Sequence, residues 1–251
     1  MTLPPAHRPP AAADSLALFD LDHTLIPFDS GMAWTHFLVE RGVLPPGAAE
    51  HHLNCCRQYV AGRFDIHALH RAALQPLLQQ PRAALAAWQL EFQAAMAPRL
   101  PLAMLALVRG HQRAGHLCAI VTATTALIAA PFARLFGIEA LLATVAATMG
   151  GAVDGTGNGT GDNTAGAQLT GEIAGEPCHG LHKVERVNRW LASRPTGSKA
   201  GLAGFARSWF YSDSFSDLPL LGQVSDPVAV RPDERLRAHA LRLGWRILDA
   251  A

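Results

Sequence analysis

The sequence has neither an excess of charge nor a cluster of basic residues. Its 251 residues carry a formal net charge of +1 at neutral pH. Proteins that bind nucleic acid usually present a basic patch, because much of their affinity comes from neutralising phosphates. We therefore expect no nucleic-acid partner. No apolar run reaches the roughly 18 to 20 residues needed to cross a bilayer, so we expect no membrane-spanning segment either.

Two further absences favour the cytoplasm: cysteine is scarce, and a secretion signal is missing. The cysteines are Cys55, Cys56, Cys118 and Cys178, which lack the spacing of a metal site. The adjacent pair is poorly placed to form a disulfide with itself, so reduced thiols are the simplest interpretation. Residues 1–13 are rich in Pro and Ala but have no basic or apolar signal region. We interpret them as a flexible tail.

A P-loop is also absent. The segment 149–166 is rich in Gly, Thr, Asn and Asp and has almost nothing to bury. A Gly-rich loop can cradle phosphate, but neither Gly-Lys-Ser nor Gly-Lys-Thr follows this one, and the P-loop interpretation fails. We predict a mobile loop or the tip of a hairpin whose returning arm is 167–173.

What the sequence does contain is a pair of carboxylates directly after an apolar run. Leu16–Phe19 is typical of a buried strand, and Asp20 and Asp22 follow it. In open α/β sheets, ligands bind beyond the carboxyl ends of the strands. Two carboxylates this close repel each other unless a cation such as Mg²⁺ lies between them. Since a lone Asp-x-Asp also fits an ordinary turn, the rest of the chain must decide.

A helical block separates this strand from the next. Between residues 30 and 97 the apolar residues recur at helical spacing, and no strand pattern interrupts them. Helices are predicted from Gly31 to about Gly42 and over 46–61, 65–78 and 81–95. Histidines occur at positions 51, 52, 67 and 70 of this block, and structural roles are favoured for them over a metal site.

From residue 98 onward, strands and helices alternate. Strands are predicted over 116–122, 208–212, 228–230 and 245–248, and helices over 100–114, 127–136, 184–191 and 233–243. A helix between two strands suits a parallel sheet with right-handed connections. The predicted fold class is α/β. Residues 14–29 and 98–251 form a Rossmann-like parallel sheet core, and residues 30–97 form an inserted, all-helical cap.

Polar residues of complementary chemistry lie near the ends of these elements. Thr122 ends the second predicted strand, Lys183 lies at the start of a helix, and Asp213 and Asp217 follow a later strand. Each falls where its element would bring it to the same edge of the sheet as Asp20. Together they supply the parts of one phosphoryl-transfer reaction.

The order and type of these residues closely resemble the four motifs of the haloacid dehalogenase-like superfamily of phosphatases. Residues Asp20–Thr24 resemble the first motif, Asp-x-Asp-x-Thr, and Val121–Thr124 resemble the second. Lys183 resembles the third motif, and Ser212–Leu220 resemble the fourth. The second and third motifs are weak when taken singly, but four motifs in order are a specific match. The resemblance covers nearly all of the chain from Leu16 to Leu248.

Within the superfamily the resemblance points to one subgroup. A helical block between the first and second motifs is similar to the C1 cap of subfamily IB, the phosphoserine phosphatase-like enzymes. The segments 19–37 and 212–230 look most like bacterial phosphoserine phosphatase-like or histidinol phosphatase enzymes. Thr125 departs from the pattern, because relatives often carry Asn there, and this difference puts one phosphate contact in doubt.

The resemblance implies how the matched residues would divide the chemistry. Asp20 would attack phosphorus and become an aspartyl phosphate. Asp22 would protonate the leaving group and later take a proton from water. Thr122 would hydrogen-bond a phosphate oxygen, and Lys183 would neutralise charge on the transferring group.

The remaining matched residues would hold the metal or the substrate. The implied Mg²⁺ ligands are Asp20, the backbone carbonyl of Asp22, Asp213 and, directly or through water, Asp217. Thr24 would orient the first loop, and Ala123 and Thr124 would contact the substrate. Asp29 lies where phosphoserine phosphatases place an acidic residue on the ammonium group of the substrate. Two interpretations stay open: Asp29 binds an amine of the leaving group, or it only caps the first cap helix.

The sequence therefore predicts a Mg²⁺-dependent phosphomonoesterase. Its substrate would be a small phosphorylated metabolite, such as phosphoserine or histidinol phosphate. A phospho-acceptor signalling domain combines similar residues, but Asp22 and the cap argue against it. A non-catalytic binding protein on the same fold is a third alternative, which the intact set of charged residues disfavours. The pattern determines neither the substrate nor the oligomeric state.

Overall fold

The computed structural model describes residues 15–60, 65–149, 168–194 and 201–249, and a sheet of six parallel strands runs through it. In the order in which they lie side by side, the strands are β3 (Ala140–Thr144), β2 (Leu117–Thr125), β1 (Ser15–Phe19), β6 (Arg207–Ser212), β7 (Asp226–Val230) and β8 (Arg246–Leu248). The predicted α/β class with a Rossmann-like parallel core is confirmed.

The helices of the described residues lie between the strands in sequence. They are α1 (Ser30–Glu40), α2 (Ala48–Val60), α3 (Ile66–Leu74), α4 (Arg82–Met96), α5 (Leu102–Arg113), α6 (Ala126–Phe136), α7 (Leu181–Ala192), α8 (Leu218–Leu221) and α9 (Glu234–Leu243). We refer to α1–α4 as the cap helices, since they lie within residues 30–97, for which the sequence predicts a cap. No helix in the described ranges is long and apolar enough to cross a membrane.

Strand β1 is buried along its whole length. Leu16 and Leu18 pack into the apolar cluster on one face of the sheet, and Ala17 and Phe19 pack into the cluster on the other face. A parallel strand covered on both faces is apolar at every position, which explains the continuous run in the sequence. Burying one such Leu or Phe side chain contributes about 1.5–3 kcal/mol. The strand thereby fixes the position of Asp20, which follows it.

Strand β3 lies in a stretch for which the sequence predicts no element. Its residues Ala140, Leu141 and Leu142 pair in parallel with residues of β2. Alanine has a low intrinsic preference for strands, so the local pattern is weak and the pairing with β2 decides the conformation. Strand β4 (Ala146–Thr148) follows and was also not predicted.

The structure contains the two strands of the hairpin that the sequence predicts around the Gly-rich segment. β4 pairs antiparallel with β5 (Leu169–Ile173), which matches the predicted returning arm. The hairpin borders the cap helices, because the Arg71 guanidinium on α3 donates a hydrogen bond to Glu172 on β5 at 3.1 Å. The Gly-rich tip and the tail 1–13 lie outside the described residues.

Helix α3 is shorter than the sequence predicts. It ends at Leu74, and a single 3₁₀ turn over Gln75–Leu77 follows. Pro76 explains the early stop, because proline has no N–H to continue the helical hydrogen bonds and its ring clashes with the preceding turn. The other cap helices begin and end within two residues of their predicted bounds.

Four aromatic rings join the cap helices to the core. This aromatic cluster consists of Trp34 and Phe37 on α1, Phe92 on α4 and Phe132 on α6. The Trp34 and Phe92 rings meet edge to face at 5.1 Å between centroids, and Phe92 meets Phe132 in the same way at 5.6 Å. Such pairs contribute about 0.5–1.5 kcal/mol each beyond the burial of their surface. The cluster fixes α1 and α4 above the sheet.

Candidate active site

A buried lysine joins two of the predicted site carboxylates. Lys183, in the first turn of α7, donates hydrogen bonds to Asp20 at 2.8 Å and to Asp217 at 2.7 Å. All three side chains are almost fully enclosed, with Lys183 2% exposed. Burial alone would lower the pKa of Lys183, but the two carboxylates outweigh it and raise that pKa above its usual value. Lys183 is therefore a fixed positive charge beside Asp20.

Asp217, which the resemblance implies as a direct or water-mediated metal ligand, differs in the environment of its two carboxylate oxygens. Its Oδ2 atom accepts hydrogen bonds from Lys183 and from the Ser212 hydroxyl, the latter at 2.7 Å. Its Oδ1 atom is buried and has no hydrogen-bond partner within the described part of the chain. A buried carboxylate oxygen without a donor is costly, and a cation or a water molecule held beside it would satisfy that atom.

Asp22 is held by two hydrogen-bond donors, neither of which is Lys183. The Ser30 backbone N–H donates to its Oδ1 at 2.6 Å, and the Thr124 hydroxyl donates to its Oδ2 at 2.5 Å. Burial and the nearby charge of Asp29 raise the pKa of Asp22 to about 7, against the lowering effect of these hydrogen bonds. A carboxyl group with a pKa near neutrality can both give and take a proton at physiological pH.

Asp20 and Asp213 also favour protonation. Burial raises the pKa of Asp20 to about 7, with Lys183 opposing the shift and Asp217 adding to it. Burial and then the charge of Asp20 raise the pKa of Asp213 to about 7, although its Oδ1 accepts a hydrogen bond from the Thr24 hydroxyl at 3.1 Å. Burial is therefore the main cause of both raised pKa values, and repulsion between the carboxylates adds to it.

The residues present fit a hard divalent cation. The donor atoms are carboxylate oxygens, which Mg²⁺ prefers. Two separate observations indicate a missing positive charge: the raised pKa values of Asp20 and Asp213, and the Asp217 oxygen without a partner. A cation at this edge of the sheet would relieve both.

The loop that carries Asp20 and Asp22 is fixed by tight turns and by a distant arginine. The backbone N–H of Ile26 donates to the carbonyl of Leu21 at 3.1 Å. The guanidinium of Arg231, which follows β7, donates to the carbonyls of His23 and Thr24, each at 2.8 Å. His23 adopts a left-handed conformation with φ of +57°. These contacts hold the two carboxylates in different directions.

The segment Thr122–Thr124 lies against Asp22. The Thr122 side chain is almost fully buried, and its hydroxyl accepts a hydrogen bond from the Thr124 backbone N–H at 3.2 Å. The Thr144 hydroxyl donates to the carbonyl of Ala123 at 2.7 Å. Thr124 was predicted to contact substrate, and in the structure its hydroxyl orients Asp22.

Asp29 caps helix α1 and faces a histidine. Its Oδ1 accepts a hydrogen bond from the Met32 backbone N–H at 2.6 Å and lies 3.8 Å from Nε2 of His52. Burial raises the pKa of Asp29, but the neighbouring His52 and the hydrogen bond from Met32 outweigh it and lower that pKa below its usual value. Burial lowers the pKa of His52, but Asp29 and Cys56 raise it to about 9. The capping interpretation is confirmed in geometry, and a contact of Asp29 with an amine stays a prediction.

The contacts that three residues make at the site were not predicted from the sequence. Ser30 donates its backbone N–H to Asp22, Ser212 donates to Asp217, and Arg231 holds the first loop. Ser30 could have been found, since it follows a helix-capping Asp and the first N–H groups of a helix lack partners within the helix. Ser212 belongs to the fourth motif, but the motif does not indicate its contact with Asp217, and Arg231 carries no comparable local signal.

Comparisons with known proteins agree on one family. A family model described as haloacid dehalogenase-like hydrolase matches residues 17–222. A histidinol-phosphatase of Neisseria meningitidis is 35% identical over 237 residues, which cover 94% of this chain and 98% of that protein. A phosphoserine phosphatase of Mycobacterium tuberculosis is 31% identical over 249 residues, which cover 96% of this chain and 73% of that protein. A solved structure, of a Bordetella pertussis protein of unknown function, matches with a TM-score of 0.81 and 38% identity, covering 94% of this chain and 99% of that one.

Proposed function

For this chain, which belongs to the haloacid dehalogenase-like hydrolases and is a phosphatase of that family, we propose an amino-alcohol or amino-acid phosphate as the substrate. Hydrolysis proceeds through an aspartyl phosphate, with Mg²⁺ as the cofactor. The observation that carries the proposal is the different environment of the two carboxylates after β1. Asp20 contacts the ammonium group of Lys183, whereas Asp22 is held by a backbone N–H and a hydroxyl. Two carboxylates in different environments are suited to different roles in one reaction.

Asp20 acts as the nucleophile in this mechanism. One of its carboxylate oxygens forms a bond to phosphorus as the bond from phosphorus to the leaving-group oxygen breaks. The proton of Asp22 passes to that oxygen, so the leaving group departs as an alcohol. In the second half of the reaction, Asp22 takes a proton from the water molecule that attacks the aspartyl phosphate, and Asp20 is regenerated.

The phosphoryl group needs positive charge around it during transfer. Lys183 supplies one charge directly beside Asp20, and Thr122 and Ala123 would hold phosphate oxygens from the end of β2. Mg²⁺ would be held by Asp20, Asp213 and the Asp22 carbonyl, with Asp217 in support, and would neutralise the charge between nucleophile and phosphate. Thr24 keeps Asp213 turned toward this position.

The cap helices would select the leaving group. We assign residues 30–97 to a cap that covers the carboxylates during reaction and excludes bulk water. Asp29 lies at the junction of cap and core, next to the residues that orient Asp22. Its ionised carboxylate suits an ammonium group on the substrate. The relative that matches over almost its whole length is a histidinol-phosphatase, which favours histidinol phosphate over phosphoserine.

A substrate panel tests the proposal. Phosphate release would be measured with Mg²⁺ for histidinol phosphate, phosphoserine, sugar phosphates and nucleotides. We expect kcat/KM for histidinol phosphate to exceed that for the sugar phosphates and nucleotides by at least about 10-fold, the value of roughly 1.4 kcal/mol of selective binding. Equal rates across the panel would contradict the proposed substrate class, and no turnover of any compound would contradict the proposed reaction.

Substitution of Asp29 by Ala tests the contact with the amine. The Asp29→Ala variant is expected to lose most of its preference for aminated substrates, because the ammonium group loses its ionic partner. Asp65→Ala is the matched control, since Asp65 caps α3 through the same kind of hydrogen bond, to the Ala68 N–H at 2.6 Å. Both variants lose a helix cap worth about 0.5–2 kcal/mol. If the ratio of kcat/KM values for histidinol phosphate and an amine-free phosphate ester is the same in both, the contact does not exist.

Mg²⁺ is expected to stabilise the protein more at pH 8 than at pH 6. Without the ion, Asp20, Asp22 and Asp213 have pKa values raised to about 7, so the folded state binds more protons than the unfolded state. Their contribution to stability therefore falls as pH rises from about 4 to about 7. Mg²⁺ at 100 times its Kd adds about 2.7 kcal/mol, which raises the Tm of a chain this long by roughly 5–10 °C.

The Asp213→Asn variant distinguishes stabilisation by Mg²⁺ bound at the proposed site from a general effect of added salt, with Tm as the measurement. The variant removes one charge from the repelling group, so we expect its Tm without Mg²⁺ at pH 8 to be higher than that of the wild type. Its Tm should then rise much less when Mg²⁺ is added. A Tm increase in the variant as large as that of the wild type would show that the ion acts elsewhere.

A further inference from the structure

A second group of side chains of the types that bind metal ions is formed by helix α2 and the residue that caps α1. Asp29, His52 and Cys56 each present one ligand atom, and these atoms all lie within 4.8 Å of one another. His52 and Cys56 are four residues apart on α2, so they share one face of that helix. Asp29 is contributed by the start of α1. We call these three residues the cap triad.

Two members of the cap triad, Asp29 and His52, are held in place before any ligand arrives. Asp29 is anchored through its hydrogen bond from Met32, and His52 is 8% exposed. Gly31 leaves room for the group, because a Cβ atom at that position would lie 3.2 Å from both Asp29 and the His52 ring. Side chains fixed in this way lose little conformational entropy when they bind a ligand.

The cavity beside the cap triad contains a further polar atom without a partner among the described residues. His70 on α3 lines the same cavity as Asp29, His52 and Cys56. Its side chain is 7% exposed, and its Nε2 atom is buried with no hydrogen-bond partner among the described residues. A buried polar atom left unpaired is unfavourable, and this one would be satisfied by a ligand that enters the cavity.

We infer that the cap triad binds a divalent cation of the Zn²⁺ class, at a site separate from the proposed Mg²⁺ ligands. An imidazole nitrogen, a thiolate sulfur and a carboxylate oxygen are the ligands that Zn²⁺ prefers, whereas Mg²⁺ prefers oxygen alone. Ligand bonds of about 2.0–2.3 Å place tetrahedral donors roughly 3.3–3.8 Å apart. For an oxygen and a nitrogen ligand the expected separation is roughly 3.3–3.5 Å, so Asp29 and His52, which lie 3.8 Å apart, need to approach each other only slightly. The three ligand atoms, including the Cys56 sulfur, already lie within 4.8 Å of one another.

Occupation of this site would have a consequence for catalysis, which rests on the proposed function. The Asp29 carboxylate cannot bind an ammonium group of the substrate and a metal ion at once. The same cavity is lined by Thr124, whose hydroxyl orients Asp22. A bound Zn²⁺ ion therefore competes with an aminated substrate.

Cobalt substitution tests the binding site without any measurement of activity. Metal-free protein would first receive excess Mg²⁺ and would then be titrated with Co²⁺, whose thiolate complexes absorb by charge transfer in the near ultraviolet. We expect this absorption to saturate at one ion per chain and to be absent from Cys56→Ser. Cys55→Ser is the matched control, because Cys55 is the neighbouring thiol and lies 3.6 Å from a different imidazole, that of His51.

Two results would overturn the inference: no thiolate absorption in the wild type, or absorption that Cys55→Ser abolishes and Cys56→Ser retains. Inhibition is measured separately, as phosphate release at saturating Mg²⁺ with increasing Zn²⁺. We expect Cys56→Ser to need at least about 10-fold more Zn²⁺ for half inhibition than Cys55→Ser. If both variants need the same Zn²⁺ concentration for half inhibition, Zn²⁺ inhibits by binding to the proposed Mg²⁺ ligands and not to the cap triad. If the enzyme hydrolyses none of the substrates, only the proposed function is contradicted. The cobalt titration does not depend on activity and still tests whether the cap triad binds a metal ion.

Discussion

Replacement of Asp20 by Asn is expected to lower the rate of phosphate release by at least about 10³-fold, because removal of a nucleophile usually costs that much or more. The amide has the shape of the carboxylate but cannot form an acyl phosphate. Folding should be preserved, because Lys183 keeps its contact with Asp217 and one of the mutually repelling carboxylates is removed. Steady-state phosphate release and the far-ultraviolet circular dichroism spectrum would be compared with those of the wild type.

Asp22→Asn provides the matched control for this result. It removes the other carboxylate of the same loop, and loss of general acid–base catalysis typically costs about 10²–10⁴-fold. An aryl phosphate has a leaving group that needs no proton, so this variant should still form the phosphoenzyme and accumulate it. A burst of the aryl alcohol is expected from Asp22→Asn and not from Asp20→Asn. A burst from the Asp20 variant would exclude Asp20 as the nucleophile.

Replacement of Lys183 by Ala is expected to be the most destabilising of these changes. Removal of one partner from a buried ion pair typically costs about 3–5 kcal/mol, because the remaining charge is left without compensation. Here the loss would leave both Asp20 and Asp217 unpaired in a site that is almost closed to solvent. The free energy of unfolding would be measured by urea denaturation in the absence of Mg²⁺.

The double variant Lys183→Ala, Asp217→Asn tells electrostatics apart from lost packing. If uncompensated charge is the cause, the double variant should regain a substantial part of the stability that Lys183→Ala loses, and the double-mutant cycle should give a coupling energy of about 0.5–3 kcal/mol. If the loss comes from the cavity left by the lysine side chain, the second substitution will recover nothing. A loss below about 1 kcal/mol in the single variant would contradict the role of Lys183 as the counter-charge.

Much of the fold follows from local pattern. The continuous apolar run Leu16–Phe19 predicts β1 because a strand covered on both faces has no polar positions. The cap helices are predicted because their apolar residues recur at helical spacing. Strand β3 was missed because Ala140 and its neighbours have weak strand preference. Its conformation depends on pairing with β2, a partner that the local pattern does not specify.

The residues of the site were easier to predict than their contacts. Chain order and residue type brought Asp20, Lys183 and Asp217 together, but the sequence did not indicate that the lysine lies between the two carboxylates. The contact of Thr124 with substrate stays a prediction, whereas the sequence did not indicate that its hydroxyl donates a hydrogen bond to Asp22. The direction of a side chain at the end of β2 depends on an irregularity in its pairing with β3 between Val121 and Thr125. Such a shift changes which side chain faces the loop.

The aromatic cluster divides the cap into two halves of unequal local stability. Helices α1 and α4 are held to the core through Phe132, whereas no described side chain of α2 or α3 contributes a ring to that cluster. We therefore expect backbone amides of α2 and α3 to exchange their hydrogens faster than those of α1 and α4, because exchange follows the free energy of local opening. His52 and Cys56 belong to the half that opens more readily. Product would then leave through local opening of α2 and α3, while α1 and α4 stay packed against the core.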